Sequence, residues 1–408
     1  VGVCLQSDSL YAGQVTSSAQ VIRVSDTEGS PIQRVVPYLK LDSGGTLHLF
    51  WHRESLLSDD ADTAGAIHHL VLQDKWNELP NLPGAGRAKA LQLGVGTNKS
   101  ILLMWCSEMV YGPGYHAGEI FLQTLGPDGW TKPLVVSDKK AKPSCMYRDD
   151  LAIVADSSGE HVVLWTDWRN SRALDQLLSG EGEVARVYFA SEKNGSVSDG
   201  TSLQGRGKFD AYSPSSGLVN EKVYVMWVES SGIGKRGGRS DIMLSEYDGR
   251  KWSKPLIVDR SADVKGLPAR ISTLYTASTG EGGIDIVYVT DRSGQEGGVL
   301  VYKRYVNDQL SAETILGLHV FDVRFGHGRD GWKAVVFQKP SRIHNEEGLT
   351  LLGCVTQELT KCSGTVISEK SVGRKFDVAV DREGTTHIVY ALSDAMSSLS
   401  YMTMSPTP

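Results

Sequence analysis

Three kinds of side chain in this sequence are spaced so that they can do chemistry. The first is a tyrosine–histidine pair, Tyr115 and His116, inside the glycine-rich stretch Tyr111-Gly112-Pro113-Gly114-Tyr115-His116-Ala117-Gly118-Glu119-Ile120. A phenol beside an imidazole can divide general acid and base work near neutral pH, and the same two residues can equally be solvated loop side chains. The second is arginine. Arg53, Arg169 and Arg292 each follow a short apolar run, in Trp51-His52-Arg53, Trp165-Thr166-Asp167-Trp168-Arg169 and Tyr288-Val289-Thr290-Asp291-Arg292, and Arg148 and Arg270 each head another. Guanidinium groups in this number suit bidentate recognition of carboxylates, or surface pairing with Asp149, Asp167 and Asp291. The third is an aspartate recurring at the head of an apolar strand: Arg148-Asp149-Asp150-Leu151, Lys208-Phe209-Asp210-Ala211, Val320-Phe321-Asp322-Val323 and Lys375-Phe376-Asp377-Val378. A ring of Asp150, Asp210, Asp322 and Asp377 would offer oxygen ligands to a hard cation such as Ca²⁺, or place acid/base carboxylates. The alternative is that each caps backbone N–H groups of its neighbour and serves the fold alone.

Residues so far apart need a scaffold that brings many loops to one place, and an internal repeat supplies it. A short apolar run ending in an aromatic recurs seven times: Leu47–Trp51, Ile101–Trp105, Val162–Trp165, Val223–Trp227, Ile284–Tyr288, Ala334–Phe337 and His387–Tyr390. Each run is too short for a helix and has the β-branched and aromatic character of a buried strand. An apolar strand and a turn precede it, as in Val36–Leu41 with Asp42-Ser43-Gly44-Gly45, Leu151–Ala155 with Asp156-Ser157-Ser158-Gly159, and Val378–Val380 with Asp381-Arg382-Glu383-Gly384. These are hairpin patterns. An alternating strand and a last turn-plus-strand follow, as in Asp241–Ser245 and then Asp248–Val258. Four strands repeated seven times predict an all-β chain: one seven-bladed β-propeller over 1–408, built of four-stranded antiparallel blades.

The expected blades run over 31–82, 87–138, 147–203, 208–259, 268–317, 320–370 and 374–404. The seventh supplies three strands, and Gln20–Asp26 within 19–26 reads as the missing fourth. The N-terminal strand therefore closes the ring and removes the open edges. Strand order then sorts the loops onto two faces. One face carries short turns such as Gly96–Lys99. The other carries the long second-to-third and inter-blade loops, with His52, Arg53, His116, Arg148, Arg169, Arg236, Arg239 and Arg270 among their residues. A rigid scaffold with decorated loops at one end predicts a central site on the loop-rich face.

Composition bounds the partners. The 408 residues are 40% hydrophobic and 22% charged, with 44 Gly and 14 Pro, an ordinary globular balance. A formal net charge of −6 argues against a general nucleic-acid or anionic-membrane binder. No apolar run reaches the roughly 18 residues of a membrane span. Val1–Gln6 lacks the charged n-region and full apolar stretch of a signal peptide, which is either removed or never present. Among five cysteines, Cys354 and Cys362 are spaced to face each other across a hairpin, and Cys106 and Cys145 can meet in the propeller; five free thiols are the alternative. No Gly-x-Ser-x-Gly, phosphate-binding loop or His-Glu-x-x-His occurs. Asn98-Lys99-Ser100 and Asn194-Gly195-Ser196 are glycosylation sequons on the plain face.

Asp248-Gly249-Arg250-Lys251-Trp252-Ser253-Lys254-Pro255 resembles a degenerate Asp-box (BNR) repeat, as does the shorter Asp128-Gly129-Trp130-Thr131-Lys132-Pro133. Gln73–Pro80 is a weaker copy. Such repeats belong to sialidases and related propellers, which implies a carbohydrate-active protein. The chain differs from six-bladed sialidases in its blade count and lacks their Arg-Ile-Pro, having Gln33-Arg34-Val35-Val36-Pro37 instead. In blade count it is similar to seven-bladed polysaccharide lyases acting on uronate polymers such as ulvan. That resemblance implies a His or Tyr base/acid pair, with Arg or His neutralising the uronate carboxylate. Tyr115, His116 and Tyr212 are then the candidates for proton transfer, Arg148 and Arg169 for the carboxylate, and Arg53, Arg236, Arg239 and Arg270 for the rest of the acidic glycan. The expected function is extracytoplasmic cleavage of an acidic polysaccharide, by elimination before hydrolysis, in a secreted, periplasmic or cell-surface setting with no required cofactor. A non-catalytic lectin, adhesin or protein scaffold and a sialidase-like hydrolase are the alternatives.

Overall fold

Each apolar run is buried on both sides, and that decides the architecture. In the strand Ile101–Ser107, Leu102, Met104 and Cys106 pack to one side while Ile101, Leu103 and Trp105 pack to the other. A strand with two apolar faces needs a sheet on each side of its own. In this computed structural model the repeats are accordingly seven antiparallel sheets arranged in a closed ring, a seven-bladed β-propeller. The structure describes residues 20–23, 33–55, 67–80, 82, 88–96, 99–107, 118–141, 143, 148–169, 185–203, 209–230, 240–260, 270–279, 282–291, 297–328, 330–341, 348–362, 364–368, 372–392 and 395–406.

The first blade shows the plan, with strands Gln33–Leu41, Leu47–Ser55, His68–Leu72 and Trp76–Leu79 running from the axis outward. The innermost strands of the others are Ala88–Val95, Leu151–Ala155, Asp210–Val219, Arg270–Ser278, Asp322–His327 and Val372–Val380. The seventh blade is completed by Gln20–Arg23, which pairs antiparallel with Ala395–Met404 from Gln20 opposite Tyr401 to Arg23 opposite Ser398. The expected closure is met. One boundary differs: the outer strand Thr314–Val320 belongs to the fifth blade to its end, Val320 pairing with Gly298, so the sixth blade begins at Asp322 and not at 320. Among the described residues the helical elements are two short 3₁₀ turns, Arg148–Asp150 and Leu359–Lys361.

Seven hydrophobic clusters fill the seven gaps between neighbouring blades. The aromatic that ends each repeat run always enters the gap with the preceding blade: Trp51, Trp105, Trp165, Trp227, Tyr288, Phe337 and Tyr390. Trp76, Trp130 and Trp252 of the Asp-Gly-like stretches point the same way. Trp76 lies 5.2 Å from Tyr401, Trp130 5.9 Å from Phe50 and Trp252 5.2 Å from Phe189, all ring to ring. A large ring on a fixed face of every blade keeps the gaps equally wide and the blades radially splayed. The inner turns are also built alike. Asp42 Oδ1 accepts from Gly44 and Thr46 N–H, Asp156 Oδ1 from Ser158 and Glu160 N–H, and Asp381 Oδ1 from Thr385 N–H. Each closes on a glycine with positive φ, Gly45, Gly159 or Gly384. Cys354 and Cys362 form a disulfide with Cα atoms 5.8 Å apart. Cys106 is also disulfide-bonded, while Cys145 lies outside the described residues.

The gap between the first two blades departs from this apolar rule. His48, His52 and His69 are buried there, with His48 Nδ1 and His69 Nε2 2.9 Å apart and His69 stacked on Phe50 at 4.1 Å. Burial is the main reason that His52 and His69 are pushed down from 6.5 to about 3; the charge of Lys375 adds to it for His52, and His48 for His69. Both are neutral in the folded chain, whereas the unfolded chain protonates them below about 6.5, so stability is present above that pH and is lost as pH falls toward 3. By about pH 5 the loss should approach 2 kcal/mol for each imidazole. Urea unfolding near neutrality and near pH 5 checks this, and a His52→Gln/His69→Gln variant should show a flatter pH dependence. Ring closure gives a second expectation. Ile22 sits in the gap between the last and first blades with Leu399 and Tyr401, so Ile22→Asp should cost about 3 kcal/mol and promote self-association through the exposed strand edge. Denaturant melts and light scattering read both effects.

Candidate functional site in the axial channel

The inner strands converge on the ring axis, and their residues stand level with one another. Three residues before the end of each inner strand, going round the ring, come Tyr38, Gln92, Ala152, Ser216, Tyr275, Arg324 and Asp377. The third blade gives only a methyl group at this level. Arg148, from the 3₁₀ turn that leads into the same strand, reaches the belt instead.

The belt is tied by two hydrogen-bonded networks that meet in that turn. Arg148 Nη1 lies 2.7 Å from Asp377 Oδ1, and its Nε lies 3.4 Å from Gln92 Oε1. The guanidinium also covers the Tyr38 ring at 4.9 Å. Asp377 Oδ2 accepts from the Leu39 N–H at 2.7 Å. In the second network Arg324 Nη1 donates to Tyr275 Oη at 2.9 Å, to Asp322 Oδ1 at 2.7 Å and to the Val323 carbonyl at 2.7 Å. Tyr275 Oη donates in turn to Asp149 Oδ1 at 2.7 Å. Neighbours in sequence, Arg148 and Asp149 therefore brace opposite arcs of the ring.

Electrostatics follows from this enclosure. Burial, with Asp149 and Asp322 against Arg324, holds the Tyr275 phenol well above its usual range, so it stays protonated as a donor. Asp322 is raised by burial, which Arg324 opposes. For Arg148 and Arg324 burial works against the charge, but Asp377 and Asp322 respectively outweigh it and both remain cations. Lys40 is lowered, first by burial and then by Arg148, with Asp377 opposing. Among the described residues no carboxylate lies within ion-pair distance of its amine.

Below the belt the channel widens into a cavity of about 780 Å³. Lys40, Arg148, Arg324, Tyr275, Asp377 and Ser216 face it, and the turns with Asp42, Gly44 and Asp381–Glu383 form its rim. Asp149 and Asp322, the carboxylates that balance Tyr275 and Arg324, are not part of its wall. The inner end of the cavity thus shows three cations to one carboxylate, while the rim is acidic. The rim belongs to the short-turn face. The expected site on the loop-rich face falls mostly on loops outside the described residues, whereas this cavity is lined by the middles of inner strands and the short turns.

The residues singled out in the sequence fall into groups. Arg148, Asp377 and Asp322 meet at the axis. Asp150 is buried in the turn beside them, and Asp210 Oδ1 accepts from Ala185 N–H at 3.1 Å, stitching the fourth blade to the third. The four aspartates do not gather around one point, and among the described residues no three His, Cys, Asp or Glu side chains could hold a metal ion. Asp210 and Asp377 act in the capping sense instead. Arg169 is engaged away from the cavity, 2.6 Å from Asp138 and 2.8 Å from Asp167, with its guanidinium 3.8 Å above the Tyr188 ring. Tyr212 donates to the Ile271 carbonyl at 2.7 Å and hydrogen-bonds Arg270, so these two come together at the junction of the fourth and fifth blades, outside the cavity. Burial raises the Tyr212 phenol, with Ser240 and Arg270 opposing. Tyr115, His116, Arg236 and Arg239 lie outside the described residues, and of Arg53 only the backbone is described. Lys40, Gln92, Tyr275 and Arg324 went unnoticed in the sequence. Lys40 and Arg324 carried a usable signal, each being a charge inside an otherwise apolar inner strand, Val35–Leu41 and Val323–Phe325.

Removing Asp377 tests the belt. Asp377→Ala leaves Arg148 deep in the channel without its counter-charge and Leu39 N–H without its acceptor. The expected cost is about 3 kcal/mol, read by urea unfolding. Asp377→Asn keeps an acceptor for Leu39 and should cost less.

No protein-family model matches the chain, and no curated protein matches its sequence. Solved structures do match it. A Dyadobacter fermentans protein of unknown function superposes with a TM-score of 0.52 at 10% identity, over 95% of this chain and 99% of that one. The polysaccharide lyase Uly1 gives 0.52 at 9% identity, over 91% and 90%. A puromycin-hydrolysing peptidase from Mycobacterium tuberculosis gives 0.51 at 11% identity, over 91% of this chain and 55% of that one. A lyase and a peptidase stand side by side here, so what this chain has in common with them is the fold alone, here a seven-bladed β-propeller.

Proposed function

We propose that this propeller is a carbohydrate-active protein of an oxidising, extracytoplasmic compartment that takes an acidic sugar unit into its axial cavity. The observation that carries the reading is the cavity's inner end, where Arg148, Arg324 and Lys40 converge from three blades around one carboxylate. A uronate fits this polarity. Its carboxylate goes to the guanidinium groups, and its hydroxyls become donors to the acidic rim. Neutralising that carboxylate is what makes the adjacent C–H acidic enough for elimination, so the arrangement suits a lyase, with Tyr275 held protonated at the wall. The disulfide Cys354–Cys362 supports an oxidising compartment. The likeness to a polysaccharide lyase supports the scaffold as one able to carry such chemistry.

One observation favours a second reading, binding without turnover. Arg148 and Arg324 already hold Asp377 and Asp322, and Tyr275 is committed to Asp149, so few groups remain free to move a proton.

Titration calorimetry with oligoglucuronides and with neutral glucan oligosaccharides, followed by absorbance of any unsaturated product, separates the readings. The acidic ligand should bind, the neutral one should not, and Arg324→Ala should weaken binding about tenfold or more, the equivalent of roughly 1.4 kcal/mol. Rising absorbance supports elimination, and binding without it supports the recognition module. Equal affinity for the neutral glucan would overturn the proposal.

A further inference from the structure

Among the described cations of the cavity wall, Lys40 and the rim's Arg382 are not used by the belt, and of these Lys40 stands in an inner strand. It stands in the inner strand Gln33–Leu41 among Val35, Val36, Tyr38 and Leu39, all buried, and its own side chain is part of the cavity wall. Arg148 is braced by Asp377 and Gln92, and Arg324 by Asp322, Tyr275 and Val323. Among the described residues the Lys40 amine has no carboxylate within ion-pair distance. Lys40 itself is half-buried at the cavity wall, where an unpaired ammonium is only partly solvated. An amine that feels a guanidinium and is not ion-paired with a carboxylate is the arrangement that makes lysine a nucleophile towards carbonyl carbon.

Its surroundings select the carbonyl compound. Arg148 and Arg324 stand at the same end of the cavity and suit a carboxylate, so a ligand held by them and attacked by Lys40 needs its carbonyl next to its carboxylate. We propose that Lys40 forms a Schiff base with a 2-oxo acid, of the kind that sugar acids present in their open-chain keto forms. This rests on the reading of the cavity as a carboxylate site and goes beyond it in assigning a covalent step. The amine lone pair attacks the carbonyl carbon, a C–N bond forms, the carbonyl oxygen leaves as water, and the amine's two protons go with it. The result is a neutral imine, or its iminium ion if the nitrogen takes up a proton. No electron is gained or lost. Burial first, and then the Arg148 charge, favour the neutral amine that this step needs, against the opposing Asp377 carboxylate.

Pyruvate is the simplest probe. The full chain is incubated with pyruvate and sodium cyanoborohydride, which reduces an iminium to a stable secondary amine, and the product is read by intact mass and peptide mapping. The expected result is one adduct per chain, on the peptide that contains Lys40. Excess glucuronate should suppress it, and both Lys40→Met and Lys40→Arg should lack it. Lys40→Arg keeps the charge, and circular dichroism melts confirm that each variant is folded. Adducts scattered over surface lysines, or an adduct of equal yield in a folded Lys40→Arg chain, would overturn the proposal. If glucuronate binds in calorimetry but no adduct forms, the carboxylate site stands and the Lys40 step falls. If neither is seen, both fall together.

Discussion

Everything in this structure depends on each blade being apolar on both faces. A sheet with one wet face can stop at a two-layer sandwich, whereas a sheet dry on both sides must find a neighbour on each, and its neighbours must do the same. The only finite solution is a ring. What sets the ring's size is the width of each gap, and here one large ring from the second strand of each blade, from Trp51 to Tyr390, occupies the gap before its own blade. Gly94 at the second-to-third gap and Gly326 at the sixth-to-seventh show how tightly the inner edge closes. A Cβ on the first would lie 3.1 Å from Ile153, and on the second 2.9 Å from Val380. Bulk outside and smallness inside give the taper that splays the blades around an axis.

The same taper creates the site. Seven inner strands crowded around one axis cannot all bury aliphatic side chains there, since the channel stays open to water. Nor can they leave charges unpaired so far from bulk solvent. The belt resolves the conflict by pairing across blades. Arg148 of the third blade meets Asp377 of the seventh, Asp149 of the third meets Tyr275 of the fifth, and Arg324 of the sixth ties to the same phenol. The first two of those contacts join blades that share no hydrophobic cluster, while the third reinforces the gap between the adjacent fifth and sixth blades. The contacts of the third blade with the fifth and seventh add a cross-brace to packing between nearest neighbours.

The legibility of the sequence divides along the same line. Blade number, ring closure and the disulfide Cys354–Cys362 could be read because they depend on local patterns: period-two apolar runs, turn residues and a short spacing. Arg148 and Asp377 are legible individually because each precedes a short apolar run in the sequence, although in the structure Asp377 lies within the strand Val372–Val380 and not at its head. Their pairing was not readable, since 229 positions separate them and only the ring brings them together. Arg169 shows the limit of a local pattern. An arginine two residues after Asp167 has the same local pattern whether it awaits a ligand or, as here, is clasped by Asp167 and Asp138 over Tyr188. Lys40 and Arg324 were hidden because a mid-strand charge looks like ordinary alternation until it is known that both faces of that strand should be dry.

That last point shows how propeller sequences separate fold from function. In a blade buried on both faces, a charged residue in an inner strand has no solvent-facing side to occupy, so it must either pair within the channel or face the cavity. Asp377 and Arg324 pair, and the cost of their desolvation is offset by charge-assisted hydrogen bonds to backbone as well as side chain. Among the described residues Lys40 has no ion-pair partner, and nothing in the packing of Val35, Tyr38 or Leu39 around it requires an amine rather than a methylene chain of the same length. Stability alone would favour methionine or leucine at that place. An inner-strand charge that the belt does not engage is the group left open to a ligand, and here Arg148 and Arg324 line the same cavity.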